Sequence, residues 1–109
     1  MNISSLIINT LKPLKIPVKL LKYTGKETTY IVFQEYLQQG EGFSEDDVEI
    51  TGHYILLNLF SKTDYTDLVV QTKSLLEDAG FKRTAEYELY ENDTGYYNKI
   101  LKYYFEEVN

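Results

Sequence analysis

One segment limits the folds open to this 109-residue chain more than any other, the run from Tyr54 to Phe60 near its middle. Alternate side chains of a β-strand point to opposite faces of its sheet. Both alternating sets are apolar here: Ile55, Leu57 and Leu59 on one face, Tyr54, Leu56 and Phe60 on the other. A strand that is apolar on both faces is covered on both faces. The sequence therefore predicts a central strand, roughly Val48 to Ser61, between two layers.

Two helices are predicted to supply one of those layers. The first covers residues 3–11, where apolar residues recur at helical spacing until Pro13 and Pro17 prevent continuation. The second begins after an N-cap at Asp64 and ends at Gly80, which supplies the left-handed residue after the helix. Its predicted buried stripe is Leu68, Thr72, Leu75, Leu76 and Ala79. Nothing in the two helices accounts for the second layer.

The remaining segments are predicted to be strands and turns. LLKYTGKETTYIVFQEYL indicates two extended segments around a turn at residues 24–26, the second being Thr29 to Leu37. A polar loop, QQGEGFSEDD, follows it. The chain ends in two strands, about Lys82 to Tyr90 and Tyr96 to Phe105, joined by a hairpin turn.

The predicted fold class is α+β, in the order α-β-β-β-α-β-β, with all 109 residues in one domain. It consists of one mixed, mostly antiparallel sheet of four to five strands, with two helices mainly on one face. The step from the long strand through the second helix to the next strand is predicted to be a right-handed crossover. The other pairings are predicted to be antiparallel.

Composition excludes several classes of function. Seventeen acidic and eleven basic residues give a net charge of −6, and Arg83 is the single arginine. Nucleic-acid binders carry basic surfaces, so specific DNA or RNA binding is not expected. The chain has no cysteine, which excludes disulfides and thiolate metal sites. No apolar stretch approaches the roughly 20 residues that span a bilayer, so a soluble protein made in the cytoplasm is expected.

Three features resemble chemical sites. Asp93-Thr94-Gly95 matches the aspartic-protease triplet, but Asp and Gly are also the usual residues of a hairpin turn. His53, the single histidine, has no cysteine or second histidine to share a metal, and a structural role is expected. The acidic residues of the polar loop lack the spacing of a calcium site: Glu41, Glu45, Asp46, Asp47 and Glu49. We therefore expect no enzyme, no cofactor and no metal.

The tyrosines suggest a different role. The last strand alternates, with Tyr97, Leu101, Tyr103 and Phe105 on one face and Tyr96, Ile100 and Tyr104 on the other. Tyrosine is enriched at interfaces because it combines a large apolar body with a polar tip. The alternatives are a core filled with tyrosine, an aromatic face that stays in contact with solvent, and a subunit interface on the face that the helices leave open. The candidate interface residues are Tyr54, Phe60, Tyr87, Tyr90, Tyr96, Tyr97, Tyr103 and Tyr104.

Three segments also carry a family resemblance: YIVFQEY, HYILLNLFSKTDYTDLV and LLEDAGFKRTAEYELYENDTGYYNKILKYYF. Together they resemble small prophage proteins of Gram-positive bacteria, similar to the tail terminators or tail-completion (head–tail joining) proteins of phages with long, non-contractile tails. The resemblance covers roughly residues 16–106. Its motifs are aromatic and structural, and it provides no catalytic residues.

The resemblance implies a virion protein that forms a ring, commonly a hexamer, at the head-proximal end of the tail tube. Such a ring stops tube growth and docks to the head connector, while DNA passes through its lumen. An acidic chain with little arginine suits a pore that does not bind that DNA. Two alternatives remain: a non-structural adaptor that binds one host or phage protein through the tyrosine-rich hairpin, and a small hydrolase that uses Asp93.

Overall fold

The fold is built on one sheet of five strands in the order β1-β2-β3-β5-β4. The computed structural model describes residues 1–43 and 49–109. The elements are α1 (Ile3–Thr10), a 3₁₀ turn (Lys12–Leu14), β1 (Val18–Leu20), β2 (Tyr30–Phe43), β3 (Glu49–Ser61), α2 (Thr66–Asp78), β4 (Lys82–Glu91) and β5 (Tyr96–Val108). The predicted α+β class, with one mixed and mostly antiparallel sheet, is confirmed.

The first strand pairing differs from the prediction. β1 pairs with β2 in parallel, with Val18 opposite Ile31, whereas an antiparallel arrangement was expected. Leu21 leaves β1 with a positive φ of 69°, and residues 21–29 carry the chain back to the level at which β1 began. Because β1 is only three residues long, this short connection is enough for a parallel return. The other neighbours, β2–β3, β3–β5 and β5–β4, are antiparallel.

The core lies between the two helices and one face of the sheet. Residues that pair across strands share a face, so Leu59, Leu57 and Ile55 lie beside their partners on β2 and β5. The fully buried apolar residues come from both helical segments and this face: Ile7, Leu11, Ile31, Phe33, Ile55, Leu57, Leu59, Leu76, Leu101 and Tyr103. This confirms one of the two apolar faces predicted for β3.

Two strands are longer than predicted. β2 continues through residues 38–43, where a loop was expected, and its register shifts between Glu35 and Leu37 and between Gly40 and Gly42. Bulges allow this polar, glycine-containing segment to stay paired with β3, and its local composition does not predict that pairing. β5 runs past Phe105 to Val108, because its last residues pair with Ile50, Thr51 and Gly52 of β3. The predicted loop acids Glu45, Asp46 and Asp47 lie outside the described residues.

α2 agrees with the prediction in position and differs at its ends. The helix begins at Thr66, so Tyr65 and not the predicted Asp64 takes the N-cap position. The Asp64 carboxylate instead accepts hydrogen bonds from the Thr66 backbone N–H at 3.0 Å and from the Thr66 hydroxyl at 2.7 Å. These bonds lower the pKa of Asp64. Gly80 has a φ of 102°, as predicted, but Ala79 is exposed because the helix ends before it. Val69, which was not predicted, is buried instead.

Candidate assembly surface

The second face of the sheet carries no helix among residues 1–43 and 49–109, although β3 is apolar on that side too. We call it the open face. Its middle consists of Val32, Leu56 and Ile100, which lie on three neighbouring strands. Ile100 is buried by its neighbours, whereas Val32 and Leu56 are partly exposed. The open face is thus an apolar surface that the described chain leaves partly in contact with solvent.

Four aromatic rings form a first cluster at one end of the open face. Phe60 stacks on Tyr30 with ring centroids 5.1 Å apart, and the Tyr23 ring centroid lies 4.6 Å from that of Tyr30. Tyr96 packs edge-on against Tyr30 at 6.0 Å and Phe60 at 6.1 Å. The Lys62 ammonium lies 5.0 Å above the Tyr96 ring. These tilted, stacked and edge-on contacts fix the rings in place, because aromatic pairs prefer such geometries.

A second cluster lies at the opposite end of the open face. Tyr54 is 5.0 Å from Tyr104 and 6.2 Å from Tyr36, centroid to centroid. The Tyr54 hydroxyl donates a 2.7 Å hydrogen bond to Glu41, and this bond is the main reason that its pKa is raised. Burial is the main reason for the raised pKa of Tyr104. Both hydroxyls therefore stay protonated at neutral pH, and each donates to a glutamate of its own chain, Tyr54 to Glu41 and Tyr104 to Glu106 at 3.4 Å.

The structure divides the eight predicted interface residues into three groups. The five that lie on the open face are Tyr54, Phe60, Tyr87, Tyr96 and Tyr104. Tyr90 and Tyr97 share the helix side of the sheet, where their rings are 4.8 Å apart and both are exposed. Tyr103 is 1% exposed in the core, so it is not part of a surface that a partner contacts.

Tyr103 was included because strand alternation does not show which face the helices cover. Its ring packs edge-on against Phe81 at 6.3 Å, and its hydroxyl donates to Glu77 at 3.1 Å. Burial is the main cause of its raised pKa. Both contacts come from the α2 side of the sheet. Tyr103 is therefore one of the tyrosines that fill the core, which was one alternative to an interface role.

Sequence reasoning missed three residues of the open face, Tyr23, Tyr30 and Tyr36. The face of β2 was not assigned, because its pairing with β3 contains bulges that local sequence does not reveal. Because Tyr30 pairs with Phe60, the aromatic side chains of β2 and β3 lie side by side. The available signal was the tyrosine at the start of each strand that neighbours β3, Tyr30 of β2 and Tyr96 of β5.

The Asp-Thr-Gly triplet forms a hairpin turn. Residues 92–95 connect β4 to β5, and the Gly95 N–H donates to the Glu91 carbonyl at 2.8 Å. Gly95 has a φ of 75°, the left-handed conformation that favours glycine. Asp93 is exposed in this turn. In the part of the chain that the structure describes, no group of three histidine, cysteine or acidic side chains is arranged to hold a metal ion.

His53 is held on the helix side of β3 between two carboxylates. Its Nδ1 contacts Glu35 of β2, and its Nε2 lies 2.8 Å from an oxygen of Glu107 on β5. The side chain is 2% exposed. Burial lowers the pKa of His53, but the hydrogen bonds to Glu107 and Glu35 outweigh it and raise the pKa above its ordinary value. The arrangement connects three strands, in agreement with the structural role expected for this residue.

The fold of this chain is similar to that of one chain in a solved virion. That structure is described as the virion of a native gene transfer agent (GTA) particle, and one of its chains superposes with a TM-score of 0.63 at 8% identity, over 97% of this chain and 92% of that one. At this identity the likeness shows a shared fold. No protein-family model and no curated protein matches the chain.

No helix in residues 1–43 or 49–109 has both the length and the apolar character needed to cross a membrane. The candidate site is a surface, the open face with its two aromatic clusters. What such a surface can do chemically is to exclude water against a partner while its tyrosine hydroxyls donate hydrogen bonds at the rim.

Proposed function

We propose that this protein is a structural subunit of a phage-like particle, and that it is the tail terminator or head–tail joining subunit of a long-tailed prophage. The observation that carries the proposal is the open aromatic face on a fold that resembles a chain of a virion. In this proposal the protein is made in the cytoplasm of the bacterial host and becomes part of the virion. Its copies form a ring, commonly a hexamer, that contacts the tail tube and the head connector.

Physical reasoning supports an assembly role for the open face. Exposed apolar area that is contiguous marks interaction sites, because burial of that area against a partner is favourable by about 25 cal/mol per Å². Both aromatic clusters are already ordered by ring–ring contacts, so a partner loses little free energy in fixing them. Tyrosine-rich surfaces of this kind supply large rigid contacts whose hydroxyls stay hydrogen-bonded.

The charge of the chain supports a role beside DNA without specific binding to it. The net charge of −6 disfavours adhesion to a polyanion, which suits the lining of a channel through which DNA moves. The proposal assigns the protein no catalytic step, no cofactor and no metal. Asp93, the one residue with a catalytic signature in the sequence, serves as a turn residue in this account.

Deletion of the gene tests the proposal directly. Particles assembled without a tail terminator or joining subunit are expected to have tails of irregular length or heads without tails under the electron microscope. Complementation with the wild-type gene is the control, and it should restore normal particles. Normal, infectious particles from the deletion strain would contradict the proposal.

A second experiment separates the adaptor alternative. An adaptor that binds one host or phage protein acts outside the particle, so mass spectrometry of purified particles would not detect it. A structural subunit remains in the particle through density-gradient purification. Detection of the protein together with the known structural proteins of the particle is the result that the proposal requires.

A further inference from the structure

The two edges of the sheet carry opposite charge, and this suggests how neighbouring copies meet. We propose that copies of this chain associate head to tail, with the β4 edge of one copy against the β1 edge of the next. The inference rests on the proposed function, since it names a second copy as one partner of the structural subunit. It assigns the copy-to-copy contact to the edges and leaves the open face for the next component of the particle.

The β1 edge is basic. Residues 12–26 contain five lysines and no acidic residue. All five lysines are exposed: Lys12, Lys15, Lys19, Lys22 and Lys26. None of them forms an ion pair with an acidic group in residues 1–43 or 49–109. The first edge of the sheet therefore has a concentration of positive charge in a chain that is acidic as a whole.

The β4 edge is acidic where it approaches the hairpin turn. Residues 84–95 contain four acidic residues and no basic residue. Glu86 is satisfied within the subunit by Lys73 and Lys99, each at 2.7 Å. Glu88, Glu91 and Asp93 are exposed, and among residues 1–43 and 49–109 only Glu88 of these three has a side-chain partner, the Tyr65 hydroxyl. This edge complements the lysines of the other edge in sign.

Both charged edges lie at the same level along the strands. The pairing register connects Val18 to Ile31, Ile31 to Leu59, Leu59 to Lys99 and Lys99 to Glu88. Glu88 at one edge is therefore in the same row as Val18 at the other. When a neighbour continues the sheet in this register, Glu91 lies level with Lys15 and Asp93 lies close to the level of Lys12, whereas Lys22 lies level with Thr84.

Apolar side chains are exposed at the same two places. Leu20 and Leu21 at the β1 edge are 45% and 65% exposed, and Leu89 and Tyr90 of β4 are 53% and 52% exposed. Exposed strand edges with large apolar side chains favour pairing with another chain. The edges thus offer both apolar burial and charge attraction, which is the usual composition of a specific contact.

The directions of the two edge strands allow a second copy to extend the sheet by antiparallel pairing. β1 runs in the direction of β2 and β5, whereas β4 runs in the opposite direction. β4 of one copy beside β1 of the next is therefore an antiparallel neighbour, like most pairs in the sheet. Because the two surfaces are different, the contact is heterologous, and repeated copies form a ring when the rotation closes.

The charges of the β1 edge oppose its pairing with itself. β1 against β1 would bring the lysines of two copies together. Like charges placed opposite each other on neighbouring strands are destabilising. The β1 edge therefore favours the acidic part of β4 in another copy over a second β1 edge.

Charge exchange between the edges tests the proposal. The acidic-edge variant combines Glu91→Lys with Asp93→Lys, and the basic-edge variant combines Lys12→Glu with Lys15→Glu, which lie at the same level in this register. A control variant with the same charge change as the acidic-edge variant combines Asp67→Lys with Asp78→Lys, since both residues are exposed on α2. Circular dichroism checks that each variant is folded. Sedimentation velocity over a wide concentration range at low salt measures self-association of the full chain.

The wild type and the control are expected to form larger species as concentration rises. Each single-edge variant should require roughly tenfold higher concentration for the same association, because exposed charge pairs contribute modestly and add across an interface. The chain with all four substitutions should associate like the wild type, as should an equimolar mixture of the two single-edge variants.

Three results would overturn the proposal: a wild type that is monomeric throughout, single-edge variants that associate as well as the wild type, and a four-substitution chain that remains dissociated. The proposed function fails by a different observation, absence of the protein from particles. If the protein is present in particles but its association is unaffected by charge exchange, the edge contact is contradicted and the proposed function is not.

Discussion

At the scale of single residues, His53 has the most informative surroundings. Both ring nitrogens face carboxylates, and a neutral imidazole has only one N–H to donate. The raised pKa of His53 agrees with an imidazolium that donates to Glu35 and Glu107. The N-terminal ammonium also lies near this site, 3.4 Å from Glu107.

A pH dependence of stability follows from this arrangement. A histidine whose pKa is higher in the folded state than its ordinary value of 6.5 stabilises the fold most fully below 6.5. That contribution is lost as pH rises through the folded-state pKa. The free energy of unfolding in urea should therefore decrease as the pH rises above 6.5 and through the folded-state pKa. NMR titration of the imidazole measures the same pKa independently.

His53→Gln is the control for this prediction, because glutamine keeps a polar side chain without the titration. Its stability should change less than that of the wild type over the same pH range. An imidazole that titrates below 6.5, or a wild type and variant with parallel pH profiles, would contradict the charged bridge.

Glu86 provides a second residue-scale prediction, of opposite sign. Hydrogen bonds from Lys73 and Lys99 lower its pKa from 4.5 to about 2. A lowered pKa stabilises the fold above 4.5, and the contribution is lost as pH falls through about 2. Glu86→Gln should lower the free energy of unfolding by about 1 kcal/mol at neutral pH, since the pair is partly exposed. Urea unfolding measures this, and a difference that persists unchanged under acid conditions would count against the ion pair.

The sequence predicted the role of His53 but not its partners. With one histidine and no cysteine, a metal site was unfavourable from composition alone. Glu35 and Glu107 are 18 and 54 residues away, so their proximity depends on the register of three strands. Long-range pairing of this kind leaves no local pattern, whereas the alternation that placed Tyr103 and Tyr104 on opposite faces is local.

At the scale of secondary-structure elements, β3 tests whether the open face is unpacked within the subunit. Leu57 and Leu56 are neighbours on this strand and point to opposite faces. Leu57→Ala removes fully buried apolar volume and should cost about 2–5 kcal/mol of unfolding free energy. Leu56→Ala should cost about 1 kcal/mol, because its side chain is partly exposed before unfolding. Equal losses would indicate that the open face is covered within the subunit.

The hairpin between β4 and β5 gives a prediction on the Asp-Thr-Gly triplet. Gly95→Ala should destabilise the protein by about 1 kcal/mol, because an L-residue is strained at the left-handed φ of 75°. Asp93→Ala is the matched control and should change stability little, since this side chain is exposed. Thermal unfolding of the two variants measures the difference. A larger loss for Asp93→Ala would mean that the carboxylate has a structural or chemical role beyond the turn.

The elements divide into those that sequence could predict and those that it could not. β3, α2 and the hairpin each carry a strong local signal: two-sided apolar alternation, a capped helical stripe that ends at Gly80, and a turn with Gly95. The parallel pairing of β1 and the extension of β2 to Phe43 depend on where neighbouring strands lie. Local propensity does not decide such pairings, because tertiary contacts override it.

At the scale of the whole molecule, the fold presents three different surfaces. The helices cover one face of the sheet, the open face carries two aromatic clusters, and the two edges carry charges of opposite sign. This division suits a subunit that contacts its own copies at the edges and other proteins of a particle through the open face. In the proposed assembly, the acidic net charge would disfavour binding to DNA.

The central claim, that the protein is a structural subunit of a phage-like particle, is tested most directly by counting its copies in purified particles. Quantitative mass spectrometry with isotope-labelled peptides of this chain measures its ratio to the other structural proteins. The account predicts a fixed ratio of several copies per particle that does not change between preparations or on washing with high salt. Particles that retain their other structural proteins but lack this chain would contradict it.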